Sequence, residues 1–68
     1  MLENYEEALQ DYSMAIERDS SDPDYYFNRA LTQFYLDLNE NACSNLEKAA
    51  QLGDEQAIQY FEEFCVDL

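Results

Sequence analysis

Sliding the 68-residue chain against itself by thirty-four positions superimposes like on like. Leu2 meets Leu36, Glu6 meets Glu40, Ala8 meets Ala42, and Ala15 meets Ala49. Tyr26 meets Tyr60 and Phe27 meets Phe61, and Glu3 with Asp37, Tyr12 with Leu46 and Ile16 with Ala50 are conservative pairs. The matches fall at positions that share one face of a helix, where repetition has a packing cause. A fixed period of this length describes a unit that cannot bury its apolar face alone and does so by stacking on its neighbours.

The helical period runs throughout. Asn4 can cap a first helix whose face is Tyr5, Ala8, Leu9, Tyr12, Ala15 and Ile16, with Glu6 and Glu7 in the first turn and Arg18 in the last. Asp22 caps a second helix and Pro23 takes its first position, where a missing N–H costs nothing. From Asp22 to Leu38 that helix is apolar over much of its circumference. One line is Tyr26, Ala30 and Gln33; a second is Phe27, Leu31, Phe34, Tyr35 and Leu38. A surface helix normally carries one such line, so two imply burial on two sides. Asn39 is the expected cap of a third helix with Ala42, Cys43, Leu46, Ala49 and Ala50 inward. Gly53 ends it as a left-handed residue, and Asp54 caps a fourth helix with inner face Ala57, Ile58, Phe61, Phe64 and Cys65. With one Gly, one Pro and no Trp the chain has few breakers. It reads as all-α, four helices joined by short links that make sequential neighbours antiparallel.

At this point the chain resembles a tetratricopeptide-repeat protein. Ala8-Tyr12-Ala15 and Ala42-Leu46-Ala49 are two copies of the second half of that motif; Tyr26 and Ala30 occupy its aromatic and small positions. The chain departs from the motif at Arg29, where Leu is usual, and at Gln33, where Tyr is usual. Ser20 and Asp54 stand in the places of the closing Pro. The stretch E-K-A-A-Q-L-G-D-E-Q-A-I is also similar to the Sel1-like subgroup. The resemblance implies a right-handed solenoid fragment of helical hairpins. Residues 1–20 would be the second helix of a partial repeat, 21–53 a full repeat, and 54–68 a terminal helix.

The family resemblance implies a function in protein interaction, through a groove lined by the first helix of each unit. Phe27, Asn28, Leu31, Phe34 and Tyr35 are the expected peptide- or protein-contacting residues; the competing reading is that this line simply packs on Tyr60, Phe61 and Phe64. Asn28 matches the groove asparagine of chaperone-binding members, which grip a terminal carboxylate with Lys and Arg on adjacent first helices. Arg29 is the lone cation on this helix and the last helix has none, so such a clamp is not expected here. The face that the missing partner helix would cover, Tyr5, Leu9 and Tyr12, leaves two alternatives. The chain is a piece of a longer array, or a second copy closes the face as a homodimer. A purely structural end piece with no binding surface of its own is the rival reading.

Charge narrows the partner. Sixteen acids against Arg18, Arg29 and Lys48 give a net charge of −13, without a basic patch. Nucleic acid and anionic membrane are therefore not expected partners; a basic or apolar polypeptide suits such a groove better than an acidic one. No apolar run approaches the ~18 residues of a membrane span. The absence of histidine excludes Ser–His and Cys–His catalytic pairs, and the lone Gly53 leaves no phosphate-cradling loop, so no enzyme activity and no cofactor is expected. Two cysteines without histidine do not make the usual zinc site, and no metal is expected. Cys43 and Cys65 are equidistant from the turn at Gly53-Asp54, so an antiparallel hairpin brings them level. They read either as a disulfide in an oxidising compartment or as two small buried thiols in a reducing cytoplasm, the compartment weakly favoured.

Overall fold

A computed structural model describes residues 4–66. It contains four helices: α1 (Tyr5–Arg18), α2 (Pro23–Tyr35), α3 (Asn39–Gln51) and α4 (Glu55–Phe64). No strand occurs among the described residues. Leu2 and Glu3, which contribute to the repeat pairs, lie outside them.

Side-chain caps set three of the four starts. Asn4 accepts from the Glu7 N–H at 3.0 Å, Asp22 from Asp24 at 2.9 Å, and Asp54 from Gln56 and Ala57 at 2.9 and 3.2 Å. In the α1–α2 turn Asp19 accepts from the Ser21 hydroxyl and N–H, and these bonds hold its carboxyl below the usual aspartate value.

The end of α2 corrects the sequence reading. The helix stops at Tyr35 rather than running to Leu38, and Asp37 takes a left-handed conformation with φ 61°. The Leu38 N–H donates back to the Gln33 carbonyl at 2.8 Å and the Asp37 N–H to that of Phe34 at 3.1 Å, the paired bonds that close a helix on a left-handed residue. The same turn sets the start of α3. The Leu38 carbonyl already accepts the Ala42 N–H at 2.9 Å, so Leu38 stands at the N-cap, without a side-chain cap, and Asn39 is the first helical residue instead of the cap. The end of α3 repeats the device with Gly53 at φ 101°: Gly53 N–H to Ala50 at 2.9 Å, Asp54 N–H to Ala49 at 3.1 Å. A β-carbon is tolerated poorly at such angles even where space is open, as it is at Gly53. Gly53→Ala is therefore expected to cost ~1 kcal/mol and Asp37→Gly to gain ~0.5–1 kcal/mol. In thermal melts these read as shifts of about 4–8 °C per kcal/mol, of opposite sign.

The helices pack in chain order, α1 on α2, α2 on α3 and α3 on α4. Tyr5 at the start of α1 stacks on Tyr35 at the end of α2, so these two are antiparallel. The molecule is 18 Å across its thinnest direction, about two helix diameters, so the helices form two layers. Among the described residues the fully buried ones are small, Ala30, Ala42, Ala49 and Ala57, with Leu46 the one large side chain wholly removed from water. Alanines facing one another allow the close approach of α2 and α3.

The two apolar lines of α2 part company in the fold. Tyr26, Ala30 and Gln33 are buried at 7%, 0% and 8% exposure. In the second line Phe27, Leu31 and Phe34 are half-buried, and Tyr35 and Leu38 are exposed. The expected inner face of α4 is also corrected. Only Ala57 is buried; Ile58 and Phe64 are exposed, because no further helix among the described residues packs on that side.

Cys43 in α3 and Cys65 just after α4 are joined by a disulfide, their Cα atoms 5.7 Å apart. The bond ties the second turn of α3 to the end of α4, which makes these helices antiparallel.

Candidate functional site

The second line of α2 forms one wall of a groove and α4 forms the other. Leu31, Phe34 and Tyr35 face Tyr60 and Phe64 across a concavity of about 410 Å³. Helical spacing puts these side chains there: Phe34 and Tyr35 follow Leu31 by three and four residues, and Phe64 follows Tyr60 by four. The aromatic rings meet at an angle, tilted for Phe34–Phe64 and edge to face for Tyr60–Phe64. Phe34 and Phe64 lie 5.9 Å apart with planes at 56°, and Tyr60 and Phe64 at 5.8 Å and 80°. Such tilted contacts hold rings in register while leaving faces open. Tyr35 continues the wall towards α1 by stacking on Tyr5 at 5.1 Å.

Of the residues singled out from the sequence, Leu31, Phe34 and Tyr35 come together here. Phe27 sits two turns back from Phe34; its ring contacts Tyr60 at 5.3 Å and packs against the core. Asn28 does not line the concavity; its carbonyl accepts the Thr32 hydroxyl at 2.9 Å. Tyr60 and Phe64, read from the sequence as packing partners, also contribute exposed groove surface, Phe64 being 61% exposed and Tyr35 71%.

Behind the groove lies a polar cluster that the sequence reading passed over. Arg29 donates from Nε and Nη2 to the Asn45 Oδ1 at 3.1 and 2.8 Å, and from Nη1 to the Ser13 hydroxyl at 3.1 Å. Its guanidinium lies 5.7 Å from the Tyr26 ring centroid. Asn45 in turn donates to Gln33 Oε1 at 2.6 Å and to the Asn41 carbonyl at 3.0 Å. Arg29 of α2 thereby links α1 to α3. Every partner is neutral, so the network satisfies polar groups rather than pairing charges, and it leaves no buried side-chain N or O without a partner among the described residues. The signal was present: Arg29 and Gln33 stand four apart, at two of the positions where the family motif is departed from. The network also turns the one cation of α2 away from the groove.

A family model described as TPR repeat matches residues 2–37, slightly more than half of the chain. The chain belongs to the tetratricopeptide-repeat family. Neither a curated protein nor a solved structure matches it. The matched stretch carries α1 and α2, and α3 begins thirty-four residues after α1, the repeat length of this family. Tetratricopeptide repeats are generally protein–protein interaction modules and form a non-catalytic fold. In this tetratricopeptide-repeat chain no helix among the described residues is long and apolar enough to cross a membrane.

Proposed function

We propose that the groove between α2 and α4 binds a segment of another polypeptide, one with apolar side chains flanked by Lys or Arg. The observation that carries this reading is the exposure of Tyr35 and Phe64, 71% and 61%, at a concavity otherwise lined by Leu31, Phe34 and Tyr60. Large aromatics open to water beside a groove are the anchors that a partner's side chains would desolvate. The chain as a whole carries a net charge of −13, which favours a basic flank over a phosphate backbone or an anionic membrane.

Peptides selected from a displayed random library are expected to be enriched in Lys and Arg around an apolar centre. Tyr35→Ser and Phe64→Ser should each weaken binding of a selected peptide about tenfold or more, with the helical circular dichroism unchanged. These are sharper probes than Phe27→Ser or Phe34→Ser, since Phe27 and Phe34 also pack on the core. Unchanged affinity in both variants would reject the groove. A chain that selects no peptide at all would be a structural end piece.

A second reading, self-association through α1, is favoured by one observation. None of the 14 residues of α1 is fully buried, although Tyr5, Ala8, Leu9, Tyr12, Ala15 and Ile16 share a face. Sedimentation equilibrium decides it: a monomer mass that does not change with concentration rejects pairing by this face.

A further inference from the structure

We propose that the Cys43–Cys65 disulfide is a redox latch that holds α4, and with it one wall of the groove, in place. The inference rests on the groove reading for its functional meaning, but not for its structural test.

Apart from the disulfide, α4 is held by one buried residue and by partly buried side chains packed on the core. It is the shortest helix, ten residues, below the length at which an isolated helix is stable in water. Ala57, in its first turn, is its one buried residue. Beyond that turn the attachments are the half-buried Tyr60 and Phe61, the ring contacts Phe27–Tyr60 and Phe34–Phe64, and the disulfide at Cys65. No side-chain hydrogen bond joins α4 to another helix among the described residues; the bonds of Asp54 cap α4 itself. By contrast five of the six buried core residues, Tyr26, Ala30, Ala42, Leu46 and Ala49, belong to α2 and α3, and α4 contributes only Ala57 to that set.

The latch sits where it couples to the groove most directly. Cys65 follows Phe64 in the chain, and Phe64 contacts both Phe34 and Tyr60. Both cysteines are half-buried rather than sealed, which leaves the bond accessible to thiolate attack. A dithiol reductant supplies two electrons and two protons. The S–S bond breaks, Cys43 and Cys65 become thiols, and the reductant closes its own disulfide. The tie spanning 22 positions is then lost, and the last turns of α4 are released with Tyr60 and Phe64.

Amide hydrogen exchange on the oxidised and the fully reduced chain, with no partner present, tests the latch. Reduction is expected to speed exchange in residues 58–64 at least tenfold and to change the amides of Ala42 to Ala49 less than threefold. The double variant Cys43→Ser/Cys65→Ser should show the reduced pattern with or without reductant. Equal α4 exchange in the two redox states would overturn the latch, as would acceleration of all four helices together, or two titratable thiols in the chain purified under oxidising conditions. Affinity for a fluorescein-labelled selected peptide, expected to fall at least tenfold on reduction, separates the two claims. If α4 responds but no peptide binds in either state, the groove reading fails and the latch stands. If the peptide binds equally in both states, the latch does not govern the groove.

Discussion

Leu46→Ala is expected to leave a large fraction of the chain unfolded. Among the described residues Leu46 is the one large side chain with no exposure, clustered with Tyr26, Ala30, Ala42, Ala49 and Ala57. Removing a fully buried leucine costs ~2–5 kcal/mol, the larger values where the walls cannot collapse into the gap. Four of the five other buried members of its cluster are alanines, which have no long side chain to swing into the gap. The whole stability of a domain this size is roughly 3–10 kcal/mol, at ~0.05–0.15 kcal/mol per residue. With a urea slope near ~1 kcal/mol per molar, the unfolding midpoint should fall by about 2 M or more. Ile58→Ala, at a site 41% exposed, should move it by less than ~0.5 M, in line with the ~0.5 kcal/mol or so of a surface substitution. Equal effects of the two would mean that the core does not centre on Leu46.

Asn45→Leu is the second large effect. Asn45 accepts twice from Arg29 and donates to Gln33 and Asn41. Its loss strands the guanidinium and the Gln33 amide against an apolar side chain. Arg29 is half-buried and recovers some water, which lowers the cost; a loss of ~2–4 kcal/mol remains. Changing three of the polar members, Arg29→Leu, Gln33→Tyr and Asn45→Leu, removes their donors and acceptors together and leaves the half-buried Ser13 hydroxyl to water. That triple variant should return to within ~1 kcal/mol of the parent, since a complete polar network exchanged for a packed apolar one is often neutral. The urea midpoints of the single and triple variants give the comparison; a triple variant weaker than Asn45→Leu alone would contradict it.

These two cases mark what could be read from residue order. Helix starts were legible at Asn4, Asp22 and Asp54 because a side-chain cap is a local interaction between residues two or three apart. The end of α2 was not. The apolar line continues to Leu38, and the left-handed residue there is Asp37, without the glycine that announced the end of α3. Periodicity located the apolar stripe of α4 but could not say whether a neighbour exists to cover it, so Ile58 and Phe64 were expected inside and lie outside. For the Arg29–Asn45–Gln33 cluster, residue order showed only the two departures at Arg29 and Gln33; their partner Asn45 is on another helix, so the pairing itself was not legible. As for the groove, the family resemblance placed Leu31, Phe34 and Tyr35 on its lining helix. The proposed binding surface adds Tyr60 and Phe64 of α4, which line the same concavity.

The most direct test is therefore to locate that partner's footprint. Titrating a selected basic–apolar peptide into the ¹⁵N-labelled, disulfide-intact chain should shift or broaden amides clustered around Leu31, Phe34, Tyr35, Tyr60 and Phe64, leaving the α1 residues Glu6 to Glu17 nearly still. Changes confined to α1, or spread evenly over all four helices, would contradict a groove built from α2 and α4.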